Sequence, residues 1–184
     1  MLLQKSKSCL VIIDVQEKLT PHVIHAETVI KQCAWLMRLA NELGIPVMVS
    51  EQYPRGLGKT VTDLHQWMLD IETISKVHFS CYREPNFLQQ WHTLERTQVV
   101  IAGIETHVCV LQTALDMNAA GIDVFVVVQA TSSRDAQDHE SALARMIQAG
   151  IQLVTPEMVL FEWLEQAGTP EFKAVSQNFL KKKQ

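Results

Sequence analysis

One arrangement occurs three times in this chain: an amphipathic helical segment ends at a glycine, and a short apolar segment follows at once. The three joints are Gly44-Ile45-Pro46-Val47, Gly121-Ile122-Asp123-Val124 and Gly150-Ile151-Gln152-Leu153. Glycine ends a helix readily because it adopts the left-handed backbone conformation without steric cost. A helix followed by a short buried strand is the repeating unit of α/β proteins. The pattern therefore predicts parallel strands connected by helices.

Six short apolar segments are predicted as strands, with helical segments between them. The strands are Cys9–Ile13, Pro46–Val49, Ile71–Ser75, Val99–Ala102, Ile122–Val128 and Ile151–Val154. The helices are Ala26–Leu43, Val61–Leu69, Phe87–Leu94, Thr106–Ala120, Glu140–Ala149, Pro156–Gln166 and Glu171–Leu180; Glu51–Lys59 and Thr131–Asp135 are predicted loops. Uninterrupted apolar runs are typical of strands that are buried on both faces. We expect a three-layer α/β/α sandwich with a six-stranded parallel Rossmann-like sheet, in a single domain spanning residues 1–184.

Charge and cysteine usage limit the possible partners. The net charge is −4 and no broad basic region is present, so we expect no nucleic-acid partner; Lys181–Lys183 is interpreted as a solvated tail. No apolar run is long enough for a membrane span or, before Asp14, for a leader peptide. The four cysteines show neither a Cys-x-x-Cys motif nor a disulfide framework. These features predict a cytoplasmic protein without a membrane partner.

Reactive side chains follow several of the predicted strands. Ligands bind open parallel sheets at the carboxyl ends of the strands. The residues at these ends are Asp14, Ser50, Lys76, Gly103 and Gln129. Cys109 lies in the first turn of the helix that follows the fourth strand. A carboxylate, an amine and a thiol are thus expected to meet at one edge of the sheet.

These three side chains can form a nucleophilic site. Thr106 is the expected N-cap, which puts Cys109 near the third helical position, where free N–H groups favour a thiolate. Asp14 can accept the thiol proton, and Lys76 can keep Asp14 ionised, stabilise the thiolate and polarise a substrate. Each residue also has an ordinary structural explanation, as a packed cysteine, a turn-capping aspartate or a surface lysine. The convergence of all three at one edge of the sheet favours a catalytic role over these structural explanations.

Motifs for cofactors are incomplete. Gly56–Thr60 is similar to the end of a phosphate-binding loop, but Tyr53 stands where that loop needs its first glycine. No glycine-rich turn follows the first strand, as a dinucleotide site would require. The pairs His22 with His25 and His78 with Cys81 supply only two metal ligands each. We therefore expect neither a cofactor nor a metal.

The motifs around these residues resemble those of the isochorismatase-like cysteine hydrolases over nearly the whole chain. The matching segments are Val11–Gln16, Lys76 with Phe79-Ser80, and Gly103–Val110. Ser50–Gly58 and Ser132–Arg134 are similar to the subgroup of isochorismatase domain-containing proteins. This resemblance implies the six-stranded sandwich and, commonly, a homo-oligomer.

The resemblance also implies a role for each site residue. Asp14 would be the base, Lys76 its electrostatic partner and Cys109 the nucleophile. It implies a cis peptide bond between Ile104 and Glu105, with the N–H groups of Glu105 and Cys109 forming an oxyanion hole. Residues close to these motifs are expected to line the substrate pocket: Gln16, Tyr53, Phe79 and His107.

The chain departs from family patterns at three places. Nicotinamidases bind a metal through an Asp-x-His motif where this chain has Glu51-Gln52-Tyr53, so we expect no catalytic metal. True isochorismatases generally lack the nucleophilic cysteine, so Cys109 argues against that activity. Gln129 stands where relatives often have aspartate, and its role is open.

The predicted function is hydrolysis of a small amide or ureido C–N bond through a thioester on Cys109. Three alternatives stay open. One is isochorismatase-type vinyl-ether hydrolysis by acid catalysis. The second is a redox or thioester-handling role for a reactive thiol, and the third is a non-enzymatic scaffold with a relict site. The sequence does not identify the substrate.

Overall fold

The computed structural model describes residues 1–68 and 70–180, and a six-stranded parallel sheet forms its centre. The strands are β1 Ser8–Ile13, β2 Val47–Gln52, β3 Ile74–Lys76, β4 Gln98–Ile104, β5 Asp123–Ser132 and β6 Gln152–Val154. Their order in the sheet is β3-β2-β1-β4-β5-β6. The chain thus builds outward from β1 to β3 and then crosses back to β4. Such a reversal opens a crevice at the carboxyl ends of β1 and β4.

Helices cover both faces of the sheet, so the predicted three-layer sandwich is confirmed. The helices are α1 Ala26–Glu42, α2 Pro54–Leu57, α3 Thr62–Met68, α4 Pro85–Leu94, α5 Leu111–Ala119, α6 Ala136–Gln148, α7 Pro156–Leu164 and α8 Pro170–Phe179. One apolar core packs beneath α1, α3, α7 and α8, and a second beneath α4, α5 and α6. Among the described residues, no helix combines the length and apolarity that a membrane span requires.

Strand β1 shows why its sequence is an unbroken apolar run. Leu10 and Ile12 belong to one core, whereas Cys9, Val11 and Ile13 belong to the other. All five side chains are fully buried. Because alternate residues of a strand face opposite sides of the sheet, burial on both sides removes the apolar–polar alternation.

Strands β2 and β5 extend three and four residues beyond their predicted ends. Strand β2 continues to Gln52, so the predicted loop Glu51–Lys59 begins with strand residues and also contains α2. Strand β5 continues to Ser132, which puts Gln129 inside the strand, with its side chain exposed, rather than at the strand's end. The hydroxyl of Ser132 hydrogen-bonds the carbonyl of Ile24. Polar residues with fixed partners therefore continue these strands where apolar content had indicated a stop.

Helix α6 begins at Ala136, four residues before its predicted start at Glu140. The side chain of Asp135 accepts a hydrogen bond from the N–H of Gln137 and so caps the helix. This cap outweighs the polar composition of the first turn. Leu69, the predicted end of the second helix, and the predicted solvated tail Lys181–Lys183 lie outside the described residues.

Gly103 allows β1 and β4 to approach closely beside the crevice. It pairs with Ile13 in the parallel ladder and has a backbone φ of 129°. A Cβ atom at this position would lie 2.1 Å from the carbonyl oxygen of Ile13 and 2.6 Å from its nitrogen. Backbone atoms of a central strand cannot move away, so only glycine fits.

We predict that Gly103→Ala destabilises the protein by roughly 3 kcal/mol or more, because the added methyl overlaps the β1 backbone. Gly121→Ala is the matched control, since Gly121 also has a positive φ of 80° but no atom lies within 4 Å of the added Cβ. That control should cost only the left-handed backbone penalty of about 1–2 kcal/mol. Urea unfolding monitored by circular dichroism measures both, and equal losses would contradict the proposed overlap.

Candidate active site

Asp14 follows β1 at the crevice and is fully buried. Its backbone adopts the left-handed conformation, with a φ of 54°, and its N–H donates to the carbonyl of Ser50 on β2 at 3.1 Å. The Ser50 hydroxyl donates to Asp14 Oδ1 at 2.7 Å. Backbone and side chain of Asp14 are thus both held by β2.

Lys76, the last residue of β3, reaches across β2 to Asp14. Its Nζ lies 2.7 Å from Asp14 Oδ2, and neither side chain is exposed. The ammonium also donates to Gln52 Oε1 at 2.5 Å and to the carbonyls of Phe79 at 3.0 Å and His78 at 3.3 Å. Burial opposes the charge, but the Asp14 carboxylate outweighs it and raises the pKa of Lys76. Four protein acceptors for three protons leave the ammonium no donor for a substrate.

Gln16 braces this arrangement and does not line the pocket, so its predicted pocket role is wrong. Its Oε1 accepts from the N–H of Gln52 at 2.7 Å, and its Nε2 donates to the carbonyls of Gln52 at 3.0 Å and Gly58 at 2.7 Å. The side chain is fully buried. Gln52, which sequence reasoning missed as a site residue, is thereby fixed between Gln16 and Lys76.

Cys109 lies in a π-helical turn, Thr106–Val110, that precedes α5. The N-cap is Glu105 and not Thr106 as predicted, because the Thr106 hydroxyl hydrogen-bonds His139 Nδ1 at 2.9 Å instead. Burial raises the pKa of the Cys109 thiol, and the charge of Asp14 and a hydrogen bond with Asp14 raise it further, against the opposing charge of Lys76. The expectation of a thiolate favoured by the helix terminus is therefore wrong: the resting group is a protonated thiol beside a carboxylate.

The other three cysteines are fully buried and do not line the cavity. Burial raises the pKa of Cys81 to about 11 and that of Cys9 and Cys33 to about 12 each. The Cys81 thiol donates to Ser50 Oγ at 3.4 Å and lies behind Asp14, away from solvent. Because burial raises the pKa of Cys109 as well, access to the cavity, and not the pKa, distinguishes Cys109 from these three thiols.

A cavity of about 420 Å³ opens onto Cys109. Its lining residues are Leu19, Gln52, Leu57, Phe79, Ile104, Glu105, His107, Val108, Cys109 and Arg134. Phe79 and His107 were predicted as pocket residues and lie here, whereas Tyr53 does not: its side chain is exposed and its ring lies against Gly56. A second cavity, of about 470 Å³, is lined by residues 72–75 and α4 and contains no cysteine, lysine or histidine.

The turn between β4 and α5 is clamped to the segment that follows β5. The peptide bond between Ile104 and Glu105 is cis. Each of the next three side chains then hydrogen-bonds a residue of the β5–α6 segment. The pairs are Glu105–Arg134 at 2.5 Å, Thr106–His139 at 2.9 Å and His107–Ser133 at 2.9 Å. We call these three pairs the clamp; the Ser132–Arg134 motif held the only sequence signal for it.

The position of the nicotinamidase metal motif serves a structural purpose here. Glu51 Oε1 accepts hydrogen bonds from the N–H and the hydroxyl of Thr60, at 2.8 and 2.9 Å. In the part of the chain that the structure describes, no group of three or more His, Cys, Asp or Glu side chains could hold a metal ion.

Comparison with known proteins identifies relatives along most of the chain. The family model described as the isochorismatase domain matches residues 8–158. Isochorismatase family protein 1B of Dictyostelium discoideum is 38% identical over 173 residues, which cover 91% of this chain and 84% of the relative. Isochorismatase domain-containing protein 2B of Mus musculus is 38% identical over 169 residues, covering 91% of this chain and 79% of the relative.

Solved structures share the fold. The MAR1 ribonuclease of Caenorhabditis elegans has a TM-score of 0.91 and 34% identity, covering 98% of this chain and 93% of that one. The YcaC protein of Escherichia coli, described as an octameric hydrolase of unknown specificity, has a TM-score of 0.89 and 26% identity, covering 98% and 91%.

We predict that Asp14→Asn speeds alkylation of Cys109 at neutral pH several-fold. The substitution removes both the charge and the carboxylate hydrogen bond that raise the thiol pKa, while Lys76 stays beside it. Asparagine also tolerates the left-handed backbone of residue 14. Iodoacetamide labelling across pH, with Cys109 identified by mass spectrometry, gives the profile, which should move to lower pH. The Cys109→Ala variant should lack the labelled peptide and so shows which signal comes from Cys109. An unchanged or slower profile would show that Asp14 does not control this thiol.

Proposed function

The chain belongs to the isochorismatase family and has the family's hydrolase fold, and we propose that it is a cysteine hydrolase, without a catalytic metal, that cleaves the C–N bond of a small amide or ureido substrate. One observation carries the proposal: the Cys109 thiol lines the cavity and lies close enough to Asp14 for the carboxylate to raise its pKa, and Asp14 is itself paired with Lys76. A nucleophile, a base and a countercharge are thus in contact. We assign this function to a single domain spanning residues 1–184.

In the first step, Cys109 Sγ attacks the substrate's carbonyl carbon as Asp14 takes the thiol proton. The S–C bond forms and the carbonyl π electrons move to oxygen. Because the raised pKa keeps the thiol protonated at rest, nucleophilicity depends on this transfer. Lys76 stays protonated and supplies charge balance.

The negative oxygen of the intermediate needs hydrogen-bond donors. The Glu105 N–H donates to none of the described residues, and Glu105 lines the cavity beside Cys109. We assign the N–H groups of Glu105 and Cys109 to this oxyanion hole. Backbone donors held by the clamp need no reorganisation when the charge develops.

The intermediate collapses when protonated Asp14 gives its proton to the leaving nitrogen. The C–N bond breaks, the amine or ammonia departs, and a thioester remains on Cys109. Asp14, again a carboxylate, removes a proton from water, whose oxygen attacks the thioester carbonyl. Loss of the thiolate, reprotonated by Asp14, gives the carboxylic acid and restores the resting thiol.

We also propose that the protein works in the cytoplasm as a homo-oligomer. The Escherichia coli relative is described as octameric. The four cysteines of this chain are free and buried, as suits a reducing compartment.

Loss of the nucleophile tests the function. We predict that Cys109→Ala lowers hydrolysis of small amides and ureides at least about a thousandfold, measured as ammonia release from a substrate panel. Cys33→Ala, which removes a buried thiol far from the cavity, is the matched control and should keep its activity. Vinyl-ether hydrolysis would survive Cys109→Ala. A wild type that is inert on the whole panel, with a Cys109 that no alkylating agent reaches, would favour the scaffold.

A second prediction concerns the clamp. Arg134→Gln removes the guanidinium that holds the Glu105 carboxylate, so kcat for amide hydrolysis should fall roughly ten- to a hundredfold through misplacement of the oxyanion donors. Iodoacetamide alkylation of Cys109 needs no oxyanion hole and should keep its rate. Arg134→Lys keeps the charge and should recover part of kcat. Equal losses in both reactions would instead indicate a general disturbance of the site.

A further inference from the structure

The cavity walls are mostly apolar. Five of the lining side chains carry no polar atom and surround the approach to Cys109: Leu19, Leu57, Phe79, Ile104 and Val108. The volume of about 420 Å³ lies at the small end for ligand sites. The part of the substrate that fills this space next to the scissile carbonyl therefore gains the most binding free energy if it is short and apolar.

The buried charges near the cavity are already paired within the protein. Lys76 is 1% exposed and its protons are accepted by Asp14, Gln52 and backbone carbonyls. An anionic substrate group would have to lose its hydration without gaining a cation from this lysine. Burying an unpaired charge in this way is strongly unfavourable.

Four linked side chains, which we call the cavity mouth, are Glu105, His107 and Arg134 of the lining and the neighbouring Asp138. They offer no excess positive charge either. The Arg134 Nε donates to Glu105 Oε1 at 2.5 Å, so the one guanidinium of the lining already faces a carboxylate. Asp138 adds a second carboxylate, 3.6 Å from His107 Nε2, which is 3.7 Å from Glu105 Oε2. With His107 neutral these four groups sum to −1, and with His107 protonated they sum to zero. The mouth therefore does not attract anions.

We propose that the substrate is an uncharged carboxamide with a short apolar acyl chain, a conclusion that rests on the proposed function and narrows it. The apolar walls accept the chain, Cys109 and the Glu105 N–H meet the carbonyl, and the internally paired charges discriminate against carboxylates. Isochorismate, which carries two carboxylates, fits this site poorly. The specificity-determining residues are Glu105 and Asp138, which cancel the cation at the mouth.

Two amides of matched shape test the substrate class. 4-Methylpentanamide and succinamate differ in that an isopropyl group replaces a carboxylate. We expect kcat/KM of the wild type, from ammonia release, to favour 4-methylpentanamide at least tenfold. Equal values, or a preference for succinamate, would overturn the proposal.

A second readout does not require hydrolysis. The aldehydes 4-methylpentanal and succinic semialdehyde have the same two chain ends, and the Cys109 S–H adds reversibly across the aldehyde C=O, with sulfur bonding carbon and the proton going to oxygen. Protection of Cys109 from iodoacetamide measures their affinities. A tenfold preference for 4-methylpentanal without turnover of either amide would retain the apolar specificity and refute the hydrolase. Turnover of both amides, without a preference within the amide pair or the aldehyde pair, would retain the hydrolase and refute the apolar specificity.

A charge variant tests the stated cause. Glu105→Gln with Asp138→Asn leaves Arg134 uncompensated, so the ratio of kcat/KM for succinamate to that for 4-methylpentanamide should rise at least tenfold. The ratio cancels any loss of rate that both substrates share. Glu95→Gln with Asp123→Asn removes the same two charges at the amino-end edge of the sheet and should leave the ratio unchanged. An unchanged ratio in the Glu105→Gln, Asp138→Asn variant would refute the role of the paired charges. If neither amide is turned over, the ratio of the affinities for the two aldehydes replaces the ratio of kcat/KM.

Discussion

The buried ion pair between Lys76 and Asp14 is the interaction on which the site depends. Both side chains are removed from water, so each charge would be strongly unfavourable alone. Ser50 and Gln52, both on β2, complete the hydrogen bonds of the two partners. Three neighbouring strands are therefore tied together at their carboxyl ends by one polar network. Removing either charge would leave the other buried without compensation.

In the proposed mechanism, this pair also explains how the buried thiol of Cys109 would become a nucleophile. Transfer of the Cys109 proton to Asp14 converts a carboxylate and a thiol into a carboxylic acid and a thiolate, while Lys76 stays positive. The net charge of the buried cluster does not change in this step. Loss of the Cys109 proton to solvent would add a net negative charge to the buried cluster, whereas transfer of that proton to Asp14 would not. The low-dielectric surroundings that raise the pKa of Cys109 therefore oppose the first process more than the second. Proton transfer within the cluster and burial of the cluster are compatible for this reason.

The fold could be predicted from the sequence because its signal is repeated and local. The apolar run of β1 and the glycine that ends each amphipathic helix mark βα units wherever they occur. Strand ends were less predictable: Gln52 and Ser132 are polar, yet fixed hydrogen-bond partners keep them in the sheet. Those partners, Gln16 and Ile24, lie 36 and 108 residues away in sequence, and no local pattern indicates them.

The site was predictable to the extent that its residues terminate strands. Asp14 and Lys76 do so, and a parallel sheet brings such positions to one edge. The clamp was not predictable, because it depends on which side chains of the β5–α6 segment face the β4–α5 turn. Thr106 illustrates the difference: a threonine before a helix indicates a cap, but a histidine from α6 lies close enough to take its hydroxyl. Tertiary contacts thus override the local capping preference in this turn.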